Sequence, residues 1–254
     1  MILDKFQLTG KVAIVTGCRT GLGQGISNAF AEAGADIVGV GSADNANETK
    51  DLVEAAGRRF LYIQANLQAT SPIERIIKRA LDKFGKIDIL VNNAGIIRRV
   101  DAIEYSEKDW DDVININLKT VFFFSQMVAK QFVKQSSGGK IINIASMLSY
   151  QGGIRVPSYT ASKAGVMGIT RALANEWAKY NININAIAPG YMATDNTADL
   201  RANEDRSSEI LGRIPAGRWG TAEDLQGAAV MLASEAANYM HGFTLAVDGG
   251  WLAR

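Results

Sequence analysis

Val12-Ala13-Ile14-Val15-Thr16-Gly17-Cys18-Arg19-Thr20-Gly21-Leu22-Gly23 decides the fold. It opens with an apolar run of strand length, passes into a glycine-rich turn, and continues into a segment (residues 26–33) with helical periodicity. Outward from it, similar Val/Ile-rich runs recur at residues 12–15, 37–40, 60–63, 87–91, 141–144, 184–188 and 243–247. Segments with helical periodicity, such as 73–84 and 121–132, lie between them. Strands alternating with helices predict βαβ units and a parallel sheet. The strands are continuously apolar, which predicts a sheet covered on both faces. The expected architecture is α/β: a single-domain Rossmann fold over residues 1–254, with a seven-stranded, parallel, doubly wound sheet. The polar stretch 194–208 reads as a loop with an inserted helix before the last strand.

Composition narrows the function. The chain has 254 residues, 47% hydrophobic, with net charge +1 and no dense Lys/Arg run, so nothing favours nucleic acid or an anionic membrane as partner. One cysteine, Cys18, and one histidine, His241, exclude an internal disulfide and argue against a metal site. No signal peptide and no apolar run of membrane-spanning length is visible, so a cytoplasmic protein is expected.

The turn at 16–23 has a mechanical reading. Glycines between a strand and a helix let the backbone approach a pyrophosphate closely, and the helix N-terminus offers free N–H groups and the positive end of a dipole. A dinucleotide is the expected ligand. Its spacing, T-G-x-x-x-G-x-G, resembles that of the short-chain dehydrogenase/reductase family. Further segments carry the same resemblance in order: Asn92-Asn93-Ala94-Gly95 after the fourth apolar run, Pro189-Gly190 after the sixth, then Thr194. The resemblance spans Gly10 to Gly250. It implies a nicotinamide dinucleotide held by Gly17, Arg19, Thr20, Gly21, Leu22, Gly23, Ser42, Asn66, Leu67, Asn93, Ala94, Gly95, Pro189, Gly190, Met192 and Thr194, together with Tyr159 and Lys163.

The choice of dinucleotide is less direct. NAD-preferring proteins place an acid at the end of the second strand to bond the ribose 2′-hydroxyl. Here that region reads Val40-Gly41-Ser42-Ala43, and the first acid is Asp44. Arg19 could meet a 2′-phosphate, but no second basic residue follows the strand. The expectation is NAD, with NADP possible. Asn66 stands where the family normally has an aspartate beside the adenine, and an amide can keep that contact.

Tyr159 and Lys163 are four residues apart in a helical segment, hence on one face. Ser146 follows the strand 141–144, at the carboxyl end where doubly wound sheets bind ligands. The family resemblance selects Asn117, immediately before Leu118, as the fourth member of a tetrad with Ser146, Tyr159 and Lys163. The chemistry suits these types. Interconverting an alcohol and a ketone moves a hydride at carbon and a proton at oxygen. A phenol with pKa ~10 is a poor base at neutral pH. An ammonium about 4 Å away favours phenolate by roughly 4 kcal/mol at an effective dielectric of ~20. Ser146 can donate to the reacting oxygen. The resemblance also implies that Lys163 binds the nicotinamide ribose and that Asn117 holds a proton-relaying water. No histidine or metal is required.

Residues 144–159, 214–219 and 247–254 resemble a narrower group within the family that acts on sugar acids. A sugar acid requires a cation for its carboxylate. Arg155, between Ser146 and Tyr159, is the first expectation, with Arg99 and Arg98 next, so the expected substrate contacts are Ser146, Tyr159, Arg155 and Arg99. Trp219 could wall the pocket, Trp251 reads as an interface residue, and Gly152-Gly153 permits close approach or movement. A homotetramer is implied by the resemblance, and apolar residues around Phe122–Phe124 exceed one core-facing stripe. Two other readings fit these motifs less well. A non-catalytic dinucleotide sensor would not need both Tyr159 and Lys163, and a sugar-nucleotide epimerase normally adds a C-terminal substrate domain.

Overall fold

A computed structural model describes all residues, 1–254. Seven strands form one sheet: β1 (Val12–Thr16), β2 (Asp36–Gly41), β3 (Phe60–Gln64), β4 (Ile89–Asn92), β5 (Gly139–Ile144), β6 (Ile182–Pro189) and β7 (Thr244–Val247). Their order is β3-β2-β1-β4-β5-β6-β7, and every pairing is parallel. The winding reverses between β1 and β4, which opens a crevice beyond their carboxyl ends.

The continuous apolar runs are buried as expected. All residues of β1, β4 and β6 are buried, while the edge strands β3 and β7 are only partly covered. One face packs on α1 (Gly21–Glu32) and α9 (Glu223–Ala233), through Ile26, Phe30, Leu225, Ala229 and Leu232. Val53 of α2 (Asn47–Ala55) joins that cluster. The other face packs on α3 (Ile73–Phe84), α5 (Thr120–Gln135) and α6 (Pro157–Trp177), through Ile73, Ile76, Phe124, Val128, Phe132 and Leu173. Phe124, Val128 and Phe132 recur every four residues and are fully buried, which accounts for α5 as one amphipathic stripe. Phe123 on the same helix is 39% exposed.

Two segments differ from the sequence reading. α4 (Glu107–Ile114) runs into α5 through a single π-helical turn, Asn115–Lys119, so the helical rod is longer than its periodic part. The stretch expected to be a loop with one inserted helix forms a 3₁₀ turn (Asp195–Thr197) and two helices, α7 (Ala198–Ala202) and α8 (Glu204–Arg213). The Asn203 side chain caps α8 by accepting from the Arg206 N–H at 2.9 Å, a local bond that overrides the polar composition.

Candidate active site

The cradle is built first by backbone. Gly17 has φ +66° and Gly21 φ +56°, conformations that favour glycine. A Cβ on Gly23 would stand 2.1 Å from the Gly17 carbonyl oxygen and 2.5 Å from Asn93 Nδ2, so only hydrogen fits. The first N–H of α1 with a partner inside the helix is that of Gln24, to the Thr20 carbonyl, and Thr20 provides no side-chain cap. Gly21 and Leu22, whose N–H groups come ahead of it, border the crevice, and a phosphate there would satisfy them.

Asn93 fixes this turn. Its Nδ2 donates to the Thr16 and Gly17 carbonyls (2.9 and 3.1 Å), while the Asn93 and Ala94 amides both donate to Thr16 Oγ1 at 3.0 Å. Asn92 is turned the other way. It is buried and donates to Ser125 Oγ (3.0 Å) and Asn143 Oδ1 (2.8 Å), tying β4 to α5 and β5. Asn92 and Asn93 thus tie β4 to its neighbours and to the glycine turn.

A cleft of 290 Å³ lies over this turn. It is lined by Gly17, Arg19, Thr20, Gly21, Leu22, Ser42, Asn93, Ala94, Gly95, Tyr159, Lys163 and Thr194 of the expected set. Gly41, Ala43, Tyr62, Ile144, Asp195 and Asn196 complete it. Tyr62 was not anticipated. It sits on β3 beside β2, and its hydroxyl donates to the Ala43 carbonyl at 2.7 Å. The pairing of the second and third apolar runs was the available signal. Asn66 and Leu67 do not line the cleft. Asn66 accepts the Gln68 N–H at 3.0 Å, and the buried Leu67 gives its carbonyl to Thr120 Oγ1 at 2.8 Å. Pro189, Gly190 and Met192 stand at the end of β6, where Gly190 has no room for a Cβ against Asp248.

Of the expected tetrad, Tyr159 and Lys163 line the cleft, the Ser146 hydroxyl meets the Tyr159 phenol behind them, and Asn117 is not among the lining residues. Ser146 follows β5, and Tyr159 and Lys163 share one face of α6. Lys163 Nζ donates to the Ile144 carbonyl at 2.6 Å and lies 5.5 Å from the Tyr159 ring centroid. The Ser149 hydroxyl holds the Lys163 carbonyl at 2.7 Å. Asn117 sits in the π-helical turn, fully buried. Its amide brackets the Ile96 backbone, accepting from its N–H and donating to its carbonyl at 2.9 Å each, and also reaches Ser162 Oγ at 3.3 Å. The π turn thereby places Asn117 against the segment that follows Gly95, a use often made of such turns.

The electrostatics differ from the simple lysine–phenol picture. Burial pushes the Tyr159 phenol above its ordinary value, and the Ser146 hydroxyl and the Arg99 charge only partly oppose it. Burial also pushes Lys163 down to about 8. The ammonium is spent on the Ile144 carbonyl, so desolvation dominates in this state.

The arginines separate clearly. Arg155 has φ +65° and pairs with Asp101 at 2.9 Å, away from the cleft lining. Arg98 faces Asp109 and Asp112 at 3.5 and 3.7 Å. Arg99 has no carboxylate partner; it donates to the Asn196 carbonyl at 2.8 Å, and its charge acts on Tyr159. Trp251, expected at an interface, is buried within the chain, 4.8 Å from the Tyr191 ring, and Trp219 meets Tyr191 at 5.5 Å. His241 lies at the opposite end of the sheet, 3.1 Å from Asn183 Nδ2.

Comparison with known proteins follows this geometry. Residues 11–205 match the family model described as short chain dehydrogenase. The chain is 67% identical, over 254 residues and all of both chains, to 2-dehydro-3-deoxy-D-gluconate 5-dehydrogenase of Dickeya dadantii, and 65% identical over the same span to that of Escherichia coli. A crystal structure of a gluconate 5-dehydrogenase from Burkholderia cenocepacia, in complex with NADP and tartrate, superposes with a TM-score of 0.95 at 35% identity, covering 100% of each chain.

Proposed function

The chain belongs to the short-chain dehydrogenase family, and from that premise we propose that it is a 2-dehydro-3-deoxy-D-gluconate 5-dehydrogenase, interconverting the C5 alcohol and ketone of that sugar acid with an NAD(P) cofactor. The observation that carries this reading is 67% identity over the whole length to a relative of that name, in a chain that keeps Asn117, Ser146, Tyr159 and Lys163. A gluconate 5-dehydrogenase is the second reading, favoured by the likeness to the Burkholderia enzyme. The same proposal places the reaction in uronate and pectin breakdown, in the cytoplasm, in a homotetramer. No helix is long and apolar enough to cross a membrane.

The cradle fits a dinucleotide: Gly17 and Gly23 leave no room for side chains, and the first residues of α1, Gly21 and Leu22, line the cleft. When bound, its nicotinamide accepts or supplies the hydride. The protein's own residues manage the proton. Ser146 donates a hydrogen bond to the reacting oxygen, and Tyr159 takes the proton in oxidation or returns it in reduction. The Ser146 hydroxyl and the Arg99 charge favour the phenolate that burial alone disfavours. Asn117 positions the loop after Gly95. At the ribose, Ser42, Ala43, Tyr62 and Arg19 line the cleft, and Asp44 is bonded by Gln64 Nε2 at 2.9 Å. We assign NAD as cofactor, with room and charge for NADP.

Arg99, rather than Arg155, is the better placed cation for the substrate's acid group, because it is held at Asn196 on the cleft lining with no carboxylate partner while Arg155 is paired with Asp101. The test follows NADH and NADPH formation by absorbance with 2-dehydro-3-deoxy-D-gluconate and D-gluconate side by side. Preferential turnover of the former is expected. Preference for gluconate would move the enzyme to the second reading, and inactivity with both would overturn the sugar-acid assignment.

A further inference from the structure

The second strand ends without an acid, and the space beside its end is filled from the neighbouring strand. Gly39 and Gly41 are two residues apart on β2, hence on one face of the sheet. Tyr62 of β3 pairs with Gly39 in the parallel register, so its side chain rises on that same face. Neither glycine carries a side chain that would stop the ring. The room over Gly39 itself is taken: a Cβ there would stand 2.5 Å from Cys18 Sγ and 2.8 Å from Phe60 Cζ. Tyr62 reaches on toward Gly41, where an added Cβ would stand 2.9 Å from the Tyr62 hydroxyl oxygen. The phenol thus sits where a side chain at the end of β2 would begin, and Gly41, Ser42, Ala43, Tyr62 and Arg19 all line the cleft.

The nearest acid in sequence does not compete for this place. Asp44 is not among the lining residues. Its carboxylate accepts from Gln64 Nε2 at 2.9 Å, and the same amide holds the Ser42 carbonyl at 3.2 Å. The polarity of the Tyr62 hydroxyl is fixed by its own bond. A phenol has one proton to donate and accepts through its oxygen. That proton goes to the Ala43 carbonyl at 2.7 Å, so the oxygen is left to the cleft as an acceptor. Burial raises the phenol above its ordinary value, which keeps the proton in place at neutral pH. A ribose 2′-hydroxyl has a proton to give to such an acceptor. A 2′-phosphate brings only acceptor oxygens, and would meet Tyr62 favourably only if the proton left Ala43.

We propose that Tyr62 stands in for the missing strand-end acid: its hydroxyl oxygen accepts the adenosine ribose 2′-hydroxyl, and Tyr62 is the residue that favours NAD over NADP. This rests on the dinucleotide reading of the cleft. A neutral phenol is a weaker acceptor than a carboxylate and carries no charge to repel a phosphate. The preference it confers is therefore modest, about fivefold, the worth of one neutral hydrogen bond. Arg19 on the same lining supplies the positive charge that keeps NADP able to bind.

The experiment measures Kd by fluorescence titration for NADH, for NADH lacking the adenosine 2′-hydroxyl, and for NADPH, on wild type and on Tyr62→Phe, which keeps the ring. Wild type should bind NADH about fivefold more tightly than the 2′-deoxy analogue. Tyr62→Phe should bring NADH level with the analogue and lower the NADH preference over NADPH by the same factor. The Ala43 carbonyl loses its donor in this variant, but any loosening of that turn weakens all three ligands alike and cancels in the ratios. A ratio of NADH to analogue in Tyr62→Phe equal to that of wild type overturns the proposal and passes the 2′-hydroxyl to another group, Ser42 first. A wild type that binds NADH and the analogue equally also overturns it and leaves the dinucleotide reading intact. A wild type that binds none of the three overturns the dinucleotide reading, and the proposal with it.

Discussion

Gly23→Ala isolates the phosphate turn. The added methyl would stand 2.1 Å from the Gly17 carbonyl oxygen and 2.5 Å from Asn93 Nδ2, well inside van der Waals contact. Neither neighbour can yield cheaply, because Asn93 Nδ2 already clamps Thr16 and Gly17. Opening the turn costs roughly 1–3 kcal/mol for overpacking, and losing the Asn93–Gly17 bond about 1 kcal/mol more. A total of about 2–4 kcal/mol corresponds to roughly 30- to 1,000-fold in dinucleotide affinity at 1.4 kcal/mol per tenfold. The assay is a fluorescence titration with NADH and NADPH, with a thermal melt in parallel. Gly168→Ala is the control. That glycine lies within α6 with nothing within 4 Å of an added Cβ, so binding should not change and the helix should gain about 0.5–1 kcal/mol. Gly23→Ala binding within about twofold of wild type would refute the claim that close packing at this turn holds the cofactor.

Two further predictions concern the scaffold. Asn143→Ala removes the acceptor of Asn92 and the donor to Thr170 inside the sheet, and should cost about 2–3 kcal/mol, a fall of roughly 4–12 °C in calorimetric Tm. No change in Tm would mean the buried amide network is not structural. Lys163 and Lys140 are both pushed by burial from 10.5 down to about 8. Between pH 8 and about 10 the unfolded chain holds more protons than the folded one, so stability should rise with pH across that window. Urea midpoints should show the rise, and Lys140→Met should flatten part of it; a fall over the window would contradict the assigned burial.

Much of the fold was legible because its strands are buried on both faces and read as unbroken Val/Ile runs. β1 extends its apolar run by one residue, and α3 ends where its periodicity does. The cradle and the Ser146, Tyr159 and Lys163 constellation were legible because each depends on short spacing along one strand end or one helix face. What escaped depends on juxtaposition across the sheet. Tyr62 reaches the cleft because β3 lies beside β2. Arg155 is near the site in sequence, but its positive φ and its bond to Asp101 turn it elsewhere. In 194–208 an inserted helix was legible, but the polar composition did not show that it is two, α7 and α8, divided at Asn203.

The central claim is that Tyr159 moves the proton while the glycine cradle binds the dinucleotide independently. Steady-state turnover of Tyr159→Phe, with its dinucleotide affinity measured in the same preparation, tests this most directly. The account predicts a loss of roughly 10²- to 10⁴-fold in kcat with affinity unchanged within about twofold. Turnover within about tenfold of wild type would contradict it and assign the proton to another group.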